Sequence, residues 1–265
     1  MRRRFFVEKF GARSASIRGE TAEHLGRVLR AEPGQLYELS DGQSVWLGRI
    51  EGIDLPKRGE SRIEFALIEP VEAREPRIGI SLLLSIVKFD RFEWCLEKAT
   101  EMGAAEIIPL AAARSDKSLI AASEKRRVRW EKILVESAQQ ARRLRPAALR
   151  MAFSGESGAG ANGLPVAPQL GFAESFADYK ILLSERAEAR ALRKVLPQRA
   201  IAAASTSNER TVSAALAIGP EGGWTDDELA AAREAGFAEA SLGENILRTE
   251  TAVLAAMAIL GFALS

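Results

Sequence analysis

The stretch Ala217–Ala252, AIGPEGGWTDDELAAAREAGFAEASLGENILRTETA, alternates short apolar runs with glycine-containing loops and helix signals. The run that enters it, Ala214–Ile218, is short and apolar enough for a buried strand. Thr225 and Glu228 form the T-x-x-E pattern of a capping box, which predicts a helix beginning just after Thr225. That helix is expected to end near Gly236, because glycine readily adopts the left-handed backbone of a helix C-terminus.

The second half of the stretch repeats this arrangement. A strand over Glu239–Leu242 leads to Gly243, and Arg248–Thr251 then opens a strongly apolar final helix, Ala252–Leu264. Each glycine loop follows the carboxyl end of a predicted buried strand, which is the sheet edge where open α/β folds bind ligands. Such loops can hold a small ligand by main-chain contacts. Two ordinary strand–helix turns are the alternative on geometry alone, because short loops of this kind are common.

Composition describes an ordinary globular protein of one large or two modest domains, with 265 residues, 47% hydrophobic and 28% charged. No apolar run reaches the roughly 18–20 residues that a bilayer-spanning helix needs, and MRRRFF lacks the features of a secretory signal. The single cysteine, Cys95, excludes an internal disulfide and fits a reducing cytoplasm. With one histidine, His24, a Cys/His zinc site cannot be assembled. We therefore expect a cytoplasmic protein with no metal and no membrane partner.

The formal net charge is only +1, yet the basic residues cluster. The four clusters are Arg2–Arg4, Arg27 with Arg30, Arg126–Arg129 and Arg142–Arg145. Any one of them is more often a solvated face than a binding site. Four in one nearly neutral chain indicate a polyanionic partner.

Strand signals and turns divide the chain into two parts. Residues 1–70 predict a small β-barrel, with strands over 4–7, 35–39, 44–50 and 61–68, a helix over 22–29, and a hairpin turn at Asp41-Gly42. Residues 71–76 form the expected linker. Residues 77–265 have an α/β pattern that opens on Ile78–Val87, a continuous apolar run typical of a strand buried on both faces. Helices are expected over 92–102, 124–143 and 188–195, with strands over 106–110 and 180–184.

The segment Gly158–Gly163, GAGANG, matches the dinucleotide-binding pattern G-x-G-x-x-G. Such a site needs a strand before the pattern and a helix that opens from it. The following Leu164–Pro168 contains two prolines and is not expected to open a helix. A nucleotide-dependent oxidoreductase is therefore a distant hypothesis, and the composition of Ser154–Gly163 is that of a flexible surface loop.

Three stretches resemble one family. GPEGG with its following Glu, and LG-x-x-ILRTETA, resemble the motif of the 16S ribosomal RNA uridine-N3 methyltransferases, members of the SPOUT class with a trefoil knot in the chain. AEHLGRVLRAEPGQ, Ala22–Gln35, resembles the PUA-like N-terminal barrel of that family, and KFDRFEWCLEKATEMGAAEIIPL, Lys88–Leu110, resembles a segment of its catalytic domain. The resemblance covers nearly the whole chain. It implies an α/β fold in which a small PUA-like β-barrel precedes a knotted, parallel-sheet methyltransferase domain.

The resemblance also implies an activity, which is methylation of N3 of a uridine in 16S ribosomal RNA with S-adenosylmethionine (SAM) as methyl donor. The implied partners are 16S rRNA within the 30S subunit and a second copy of the chain, because knotted methyltransferases usually pair across the terminal helix. A non-catalytic RNA-binding or ribosome-assembly protein on the same fold is the alternative. The intact GPEGG and ILRTETA loops favour the enzyme, since a pure RNA binder has no need of a cofactor cage.

Catalytic roles are implied for Arg248, Arg143 and Glu221. Arginine cannot act as a base, but its charge can stabilise negative charge that develops on the uracil oxygens. Glu221 is expected to orient a group or accept a proton, and its other interpretation is a carboxylate placed favourably near a helix N-terminus.

Two larger sets follow from the same resemblance. Cofactor contacts, mostly by backbone, are implied for Leu183, Ser184, Glu185, Gly219, Glu221, Gly222, Gly223, Leu242, Gly243, Ile246, Leu247 and Thr251. RNA contacts are implied for Arg2, Arg4, Arg27, Arg30, Lys88, Arg114 and Gln140. The chain departs from the family pattern at Gln139, where Glu is common, and at Asn245, where Arg is frequent.

Overall fold

The computed structural model describes residues 3–73, 76–151, 166–196 and 211–264. Arg2 and the GAGANG segment, with the loop predicted around it, lie outside these residues. The chain divides into two compact units. The N-terminal unit comprises Met1–Glu75 together with Ala138–Pro146, and the C-terminal unit comprises Pro76–Ser137 and Ala147–Ser265.

The N-terminal unit is built on a five-stranded mixed sheet. Its elements are β1 (Arg4–Phe6), β2 (Ser14–Arg18), α1 (Gly19–Glu23) with a π-helical turn (His24–Val28), β3 (Leu36–Ser40), β4 (Val45–Asp54) and β5 (Arg62–Val71). The sheet order is β1-β3-β4-β5-β2, with β1 parallel to β3 and the remaining pairs antiparallel. A core of Phe5, Ile17, Leu39, Ile63 and Phe65 closes the inner face.

Most strands of this unit lie where their alternating patterns predicted them. The turn at Asp41-Gly42 is present, with Gly42 at φ +86° and the Asp41 carboxylate accepting from the backbone N–H groups of Gln43 and Ser44. Strand β2 was missed, because SASIR is short and Ile17 is its one large apolar side chain. The helix predicted over 22–29 starts three residues earlier and ends as the π-helical turn.

A buried carboxylate joins a distant segment to this sheet. Arg4 Nε and Nη2 donate to Glu38 Oε2 at 3.1 and 2.9 Å, and their side chains are only 7% and 6% exposed. Arg142 forms an ion pair with the same carboxylate, and its carbonyl accepts from Arg4 Nη1 at 2.6 Å. Ser40 Oγ donates to the Leu144 carbonyl at 2.6 Å. These bonds explain why Ala138–Pro146 belongs to the N-terminal unit although it follows the long helix of the other unit in sequence.

The C-terminal unit contains a seven-stranded, fully parallel sheet. Its elements are β6 (Ile78–Ser85), α2 (Phe89–Glu101), β7 (Ala104–Leu110), α3 (Lys117–Ser123), a 3-10 turn (Glu124–Arg126), α4 (Arg127–Gln140, whose end enters the N-terminal unit), β8 (Ala148–Leu149), α5 (Pro168–Ala173), β9 (Tyr179–Leu183), β10 (Arg190–Ala191), α6 (Leu192–Val195), β11 (Val212–Ile218), α7 (Asp226–Glu234), β12 (Ala238–Ser241) and α8 (Thr249–Leu264). The strand order is β10-β12-β9-β11-β6-β7-β8.

Apolar side chains cover both faces of this sheet, as the continuous apolar run of β6 predicted. Leu82 and Leu84 pack into a core with Phe92 and Trp130 on one face. Leu83, between them in sequence, packs into the core on the other face with Phe172. Within the described ranges, no helix has both the length and the apolar character needed to cross a membrane.

Three helix predictions need correction. The segment predicted as a helix over 188–195 is helical only over Leu192–Val195, after the short strand β10. The helix predicted over 124–143 consists of two pieces, the 3-10 turn and α4, and ends at Gln140, while α3 lies before the predicted range. Helix α5 begins at Pro168, which occupies the first turn, so the proline-containing segment does lead into a helix. Proline suits that position because the N–H groups of the first turn have no partner within the helix.

The Glu38 ion cluster predicts a graded loss of stability. Glu38→Gln should lower the free energy of unfolding by about 3–5 kcal/mol, because two guanidinium groups then lose their buried carboxylate. Arg142→Ala should cost less, since Arg4 still pairs with Glu38. Arg142→Gly should recover about 1 kcal/mol relative to Arg142→Ala, because glycine adopts the left-handed φ of +54° without penalty.

Urea unfolding followed by circular dichroism measures the three values. Arg49→Ala is the matched control, since it removes an exposed arginine–glutamate pair in the same unit and should change stability by less than about 0.5 kcal/mol. Equal losses for Glu38→Gln and Arg49→Ala would contradict a structural role for the cluster.

Candidate functional site

Three loops meet at one edge of the parallel sheet. They follow β9, β11 and β12, which are neighbours in the sheet, and each leaves the carboxyl end of its strand. Together they line a cleft whose residues are Leu183, Ser184, Glu185, Ile218, Gly219, Pro220, Glu221, Gly223, Trp224, Ser241, Leu242, Gly243, Asn245, Ile246, Leu247, Thr249 and Ala252. Ten of the twelve predicted cofactor residues are in this set, and Gly222 and Thr251 are not.

The loop after β11 needs glycine at two positions. Gly223 has a φ of +70°, and its N–H donates to the Pro220 carbonyl at 2.9 Å. A Cβ on Gly219 would lie 3.0 Å from the Trp224 indole ring. Trp224 Nε1 donates to the Leu183 carbonyl at 2.9 Å, which ties this loop to the end of β9.

The predicted capping box holds the start of α7. Thr225 and Glu228 exchange the two expected bonds, and the Glu228 carboxylate also accepts from the Ala113 N–H at 2.8 Å. Helix α7 ends as predicted, with Gly236 at φ +85°. A carboxylate at the start of α7 therefore fixes the loop before it against the segment after β7.

Arginine side chains fix the other side of the GPEGG loop. Glu221 forms an ion pair with Arg91 of α2. Arg114 Nη1 donates to the Gly222 carbonyl at 2.7 Å, and the atoms nearest to a Cβ on Gly222 would be those of the Arg114 side chain. Gly222 thus faces Arg114 instead of the cleft, and the charge of Glu221 is compensated.

The loop after β12 is the most open of the three. Gly243 has a φ of +140°, and the Ile246 side chain is 80% exposed although it lines the cleft. Arg248 lies between two lining residues, Leu247 and Thr249, and is exposed. The loop therefore presents apolar side chains and backbone to the cleft, with one exposed cation beside them.

The remaining predicted residues have varied surroundings. Lys88 is exposed immediately before α2, and Gln140 is exposed at the end of α4. Arg27 donates to the carbonyls of Leu55 and Pro56 at 3.2 Å. Arg30 has a left-handed backbone, with φ +52°.

Arg4 requires a correction, because its guanidinium is buried against Glu38 and is not available to a phosphate. Arg143 is half-buried in the N-terminal unit, next to left-handed Arg142. Burial lowers the pKa of the Arg143 guanidinium, and the charge of Arg145 lowers it further. Arg143 still remains a cation at neutral pH.

Two chemistries find no support in the described residues. No group of three or more His, Cys, Asp or Glu side chains there could hold a metal ion. Cys95 is fully buried, and burial, with a smaller contribution from the charge of Glu250, raises the pKa of its thiol to about 12. At neutral pH this thiol is therefore not a nucleophile.

Sequence reasoning missed seven lining residues, which are Ile218, Pro220, Trp224, Ser241, Asn245, Thr249 and Ala252. All of them adjoin predicted residues in sequence. Trp224 had a usable signal, since a large aromatic residue directly after a glycine turn has to pack on the loop that precedes it.

Comparison with known proteins agrees with this geometry. A family model described as an RNA methyltransferase domain matches residues 74–261. A ribosomal RNA small subunit methyltransferase E from Synechocystis is 30% identical over 239 residues, which cover 89% of this chain and 68% of the relative.

Two solved structures share the whole fold. A ribosomal RNA small subunit methyltransferase E from Neisseria gonorrhoeae, bound to SAM, has a TM-score of 0.75 and 26% identity, over 99% of this chain and 98% of the other. A proposed methyltransferase from Legionella pneumophila, in complex with SAM, has a TM-score of 0.77 and 27% identity over the same shares. The cleft, the family model and these relatives agree, and the chain belongs to the ribosomal RNA small subunit methyltransferase E family.

Proposed function

We propose that this protein transfers the methyl group of SAM to N3 of a uridine in 16S ribosomal RNA of the small subunit. One observation carries the proposal: three loops, two of them shaped by glycines of positive φ, converge on one cleft at the carboxyl edge of β9, β11 and β12. Main-chain groups and apolar walls of this kind suit a nucleoside-containing cofactor that has to be bound and released. The SAM-bound relatives support the same cofactor for this chain.

The cleft is suited to SAM in its chemistry. Leu183, Ile218 and Leu242 supply apolar walls, and the glycines at 219 and 223 let the side chains of Trp224 and Glu185 pack closely against the loop backbone. The Trp224–Leu183 bond keeps two of the three loops together. Bound SAM supplies a methyl group on a positively charged sulfur, and the protein has to hold that methyl group in line with the uridine nitrogen.

Uridine N3 carries a proton at neutral pH, so the protein has to favour its anionic form. We assign Arg248 to the stabilisation of negative charge on the uracil oxygens, because it is exposed next to lining residues of the cleft. Arg143 is the second cation assigned to this role. Glu221 is less suited to act as a base, since Arg91 already pairs with it. Its role in the proposal is to hold the loop.

The substrate is proposed to be rRNA in the assembled 30S subunit, in the cytoplasm. Arg27, Arg30, Lys88, Arg114 and Gln140 remain the proposed RNA contacts, together with Arg2. The PUA-like character of the N-terminal unit and the trefoil knot belong to the same proposal.

The proposal includes a homodimer formed across α8 and α2, which pack against each other. Helix α8 is apolar on most sides, and it exposes Ile259 and, at 78%, Phe262. Trp94 of α2 is partly exposed as well. Exposed apolar side chains on two neighbouring helices are typical of a face that another chain covers.

Alanine substitutions at two adjacent glycines of the cleft loop should have different effects on SAM affinity. Gly223→Ala should weaken SAM binding at least about tenfold, because the left-handed backbone penalty of roughly 1–2 kcal/mol reshapes the loop and the new Cβ displaces the Glu185 carboxylate. Gly222→Ala should change the affinity less than about twofold, since Gly222 does not line the cleft and the atoms nearest to its Cβ belong to the Arg114 side chain. Calorimetric titration measures both values, and equal losses would contradict the assigned cleft.

The catalytic assignment predicts that Arg248→Ala lowers kcat on 30S subunits by about 10²–10³-fold, as loss of one group that stabilises transition-state charge does. SAM affinity should stay unchanged. Labelled methyl transfer, followed by mass spectrometry of the nucleosides, measures the rate and identifies N3-methyluridine. Arg233→Ala, which removes an exposed arginine of α7, is the control. A native protein that binds SAM and rRNA without methylating it would instead support the non-catalytic hypothesis.

The dimer predicts that Phe262→Asp dissociates the protein, because a charge is then placed in a buried apolar contact. Sedimentation velocity measures the mass of the native protein and the variant. Val128→Asp, another exposed apolar position, is the control and should leave the mass unchanged. A native protein that sediments as a monomer would refute the dimer.

A further inference from the structure

The charges that line the cleft are unusual in being all of one sign. Among its lining residues only Glu185 and Glu221 are charged, and no lysine or arginine is present. Arg91 compensates Glu221 from outside the cleft. Arg248 is exposed beside the cleft without lining it, so Glu185 is the one lining residue whose charge no arginine or lysine of the described chain pairs with.

No ion pair of Glu185 occurs among the residues that the structure describes. The nearest cation in sequence, Arg186, is engaged elsewhere, with Nη1 donating to Asp226 at 2.7 Å and Nε lying 3.6 Å from Glu188. The Asp226 carboxylate raises the pKa of Arg186, and burial partly opposes that effect. Arg186 therefore leaves the adjacent carboxylate of Glu185 uncompensated.

The position of this carboxylate is set by Gly223. Glu185 Oε1 lies 2.6 Å from the point where a Cβ on Gly223 would be, so it occupies space that only glycine leaves free. This places the negative charge between the loop after β9 and the loop after β11, both of which line the cleft. Arg91 and Arg114 contact the second loop through Glu221 and Gly222, and among the described residues no hydrogen bond or ion pair joins either of them to Glu185.

We infer that Glu185 is a specificity residue that makes the cleft favour the cationic cofactor over its neutral product. The inference rests on the proposed function. SAM carries a positive sulfonium, whereas the product S-adenosylhomocysteine carries a neutral thioether and is otherwise the same molecule except for the lost methyl group. An uncompensated carboxylate attracts the sulfonium, which only SAM carries, so the spent cofactor is held less tightly and is exchanged for a fresh one.

Competing hypotheses for Glu185 make different predictions. A hydrogen bond from the ribose or amino acid part of the cofactor would serve SAM and S-adenosylhomocysteine equally, because these parts are common to both. A charge effect on the sulfonium serves SAM alone, whereas one on the α-ammonium group would serve both ligands, and either weakens as salt screens it. The ratio of the two affinities therefore separates the hypotheses without any RNA in the assay.

The experiment is a calorimetric titration of the full chain with SAM and, separately, with S-adenosylhomocysteine. Glu185→Gln should raise the Kd for SAM by about two- to fivefold, the range of an exposed charge interaction, and leave the Kd for S-adenosylhomocysteine unchanged. Glu185→Asp should keep most of the preference. Raising the salt to about 0.5 M should shrink the preference of the native protein and leave that of Glu185→Gln as it is.

Glu188→Gln is the control, since it removes the same charge from an exposed neighbour that does not line the cleft, and it should leave both affinities unchanged. Equal weakening of both ligands by Glu185→Gln, or no effect on either, would overturn the inference while the cofactor site stands. A native protein that binds neither ligand would refute the proposed function itself.

Discussion

The parallel pairing of β9 with β11 on one side and β12 on the other is the constraint on which the site depends. It aligns Leu183 with Ile218 and with Ala240, so that three loops far apart in sequence leave the sheet at one edge. Burial on both faces holds the strands in this register, because a shift by one residue would exchange the two apolar cores. Two tight glycine positions and the Trp224–Leu183 bond then determine the shape of the cleft.

Sequence patterns predicted those parts of this site that depend on local chemistry. The capping box at Thr225 and Glu228, the left-handed Gly236 and the apolar run of β6 are confirmed, because each is decided by a few neighbouring residues. The two glycine loops were visible for the same reason. The prediction that these two loops and the loop after β9 form one cleft came from the family resemblance. Strand order is a long-range property, and hydrophobic periodicity does not reveal it.

The wrong predictions concern side chains whose partners lie far away in the sequence. Arg4 looked like an exposed member of a basic cluster, yet its partner is Glu38, which lies on a neighbouring strand. Arg142 also forms an ion pair with this carboxylate, and no local sequence pattern predicts its left-handed backbone conformation. A basic cluster in a sequence therefore shows how many cations are present, but it does not show which of them are available to bind RNA. The ion pair of Glu221 with Arg91 is a second example, this time within the cleft, of a charge whose partner the sequence does not reveal.

We propose that three loops at one sheet edge form a single cofactor cage. A crystal structure of the full chain grown with SAM is the experiment to do. The cofactor should lie between the loops after β9, β11 and β12, with its polar groups bonded to backbone atoms and its sulfonium on the side of Glu185. A cofactor bound elsewhere, or held by only one of the three loops, would rule out a shared cage.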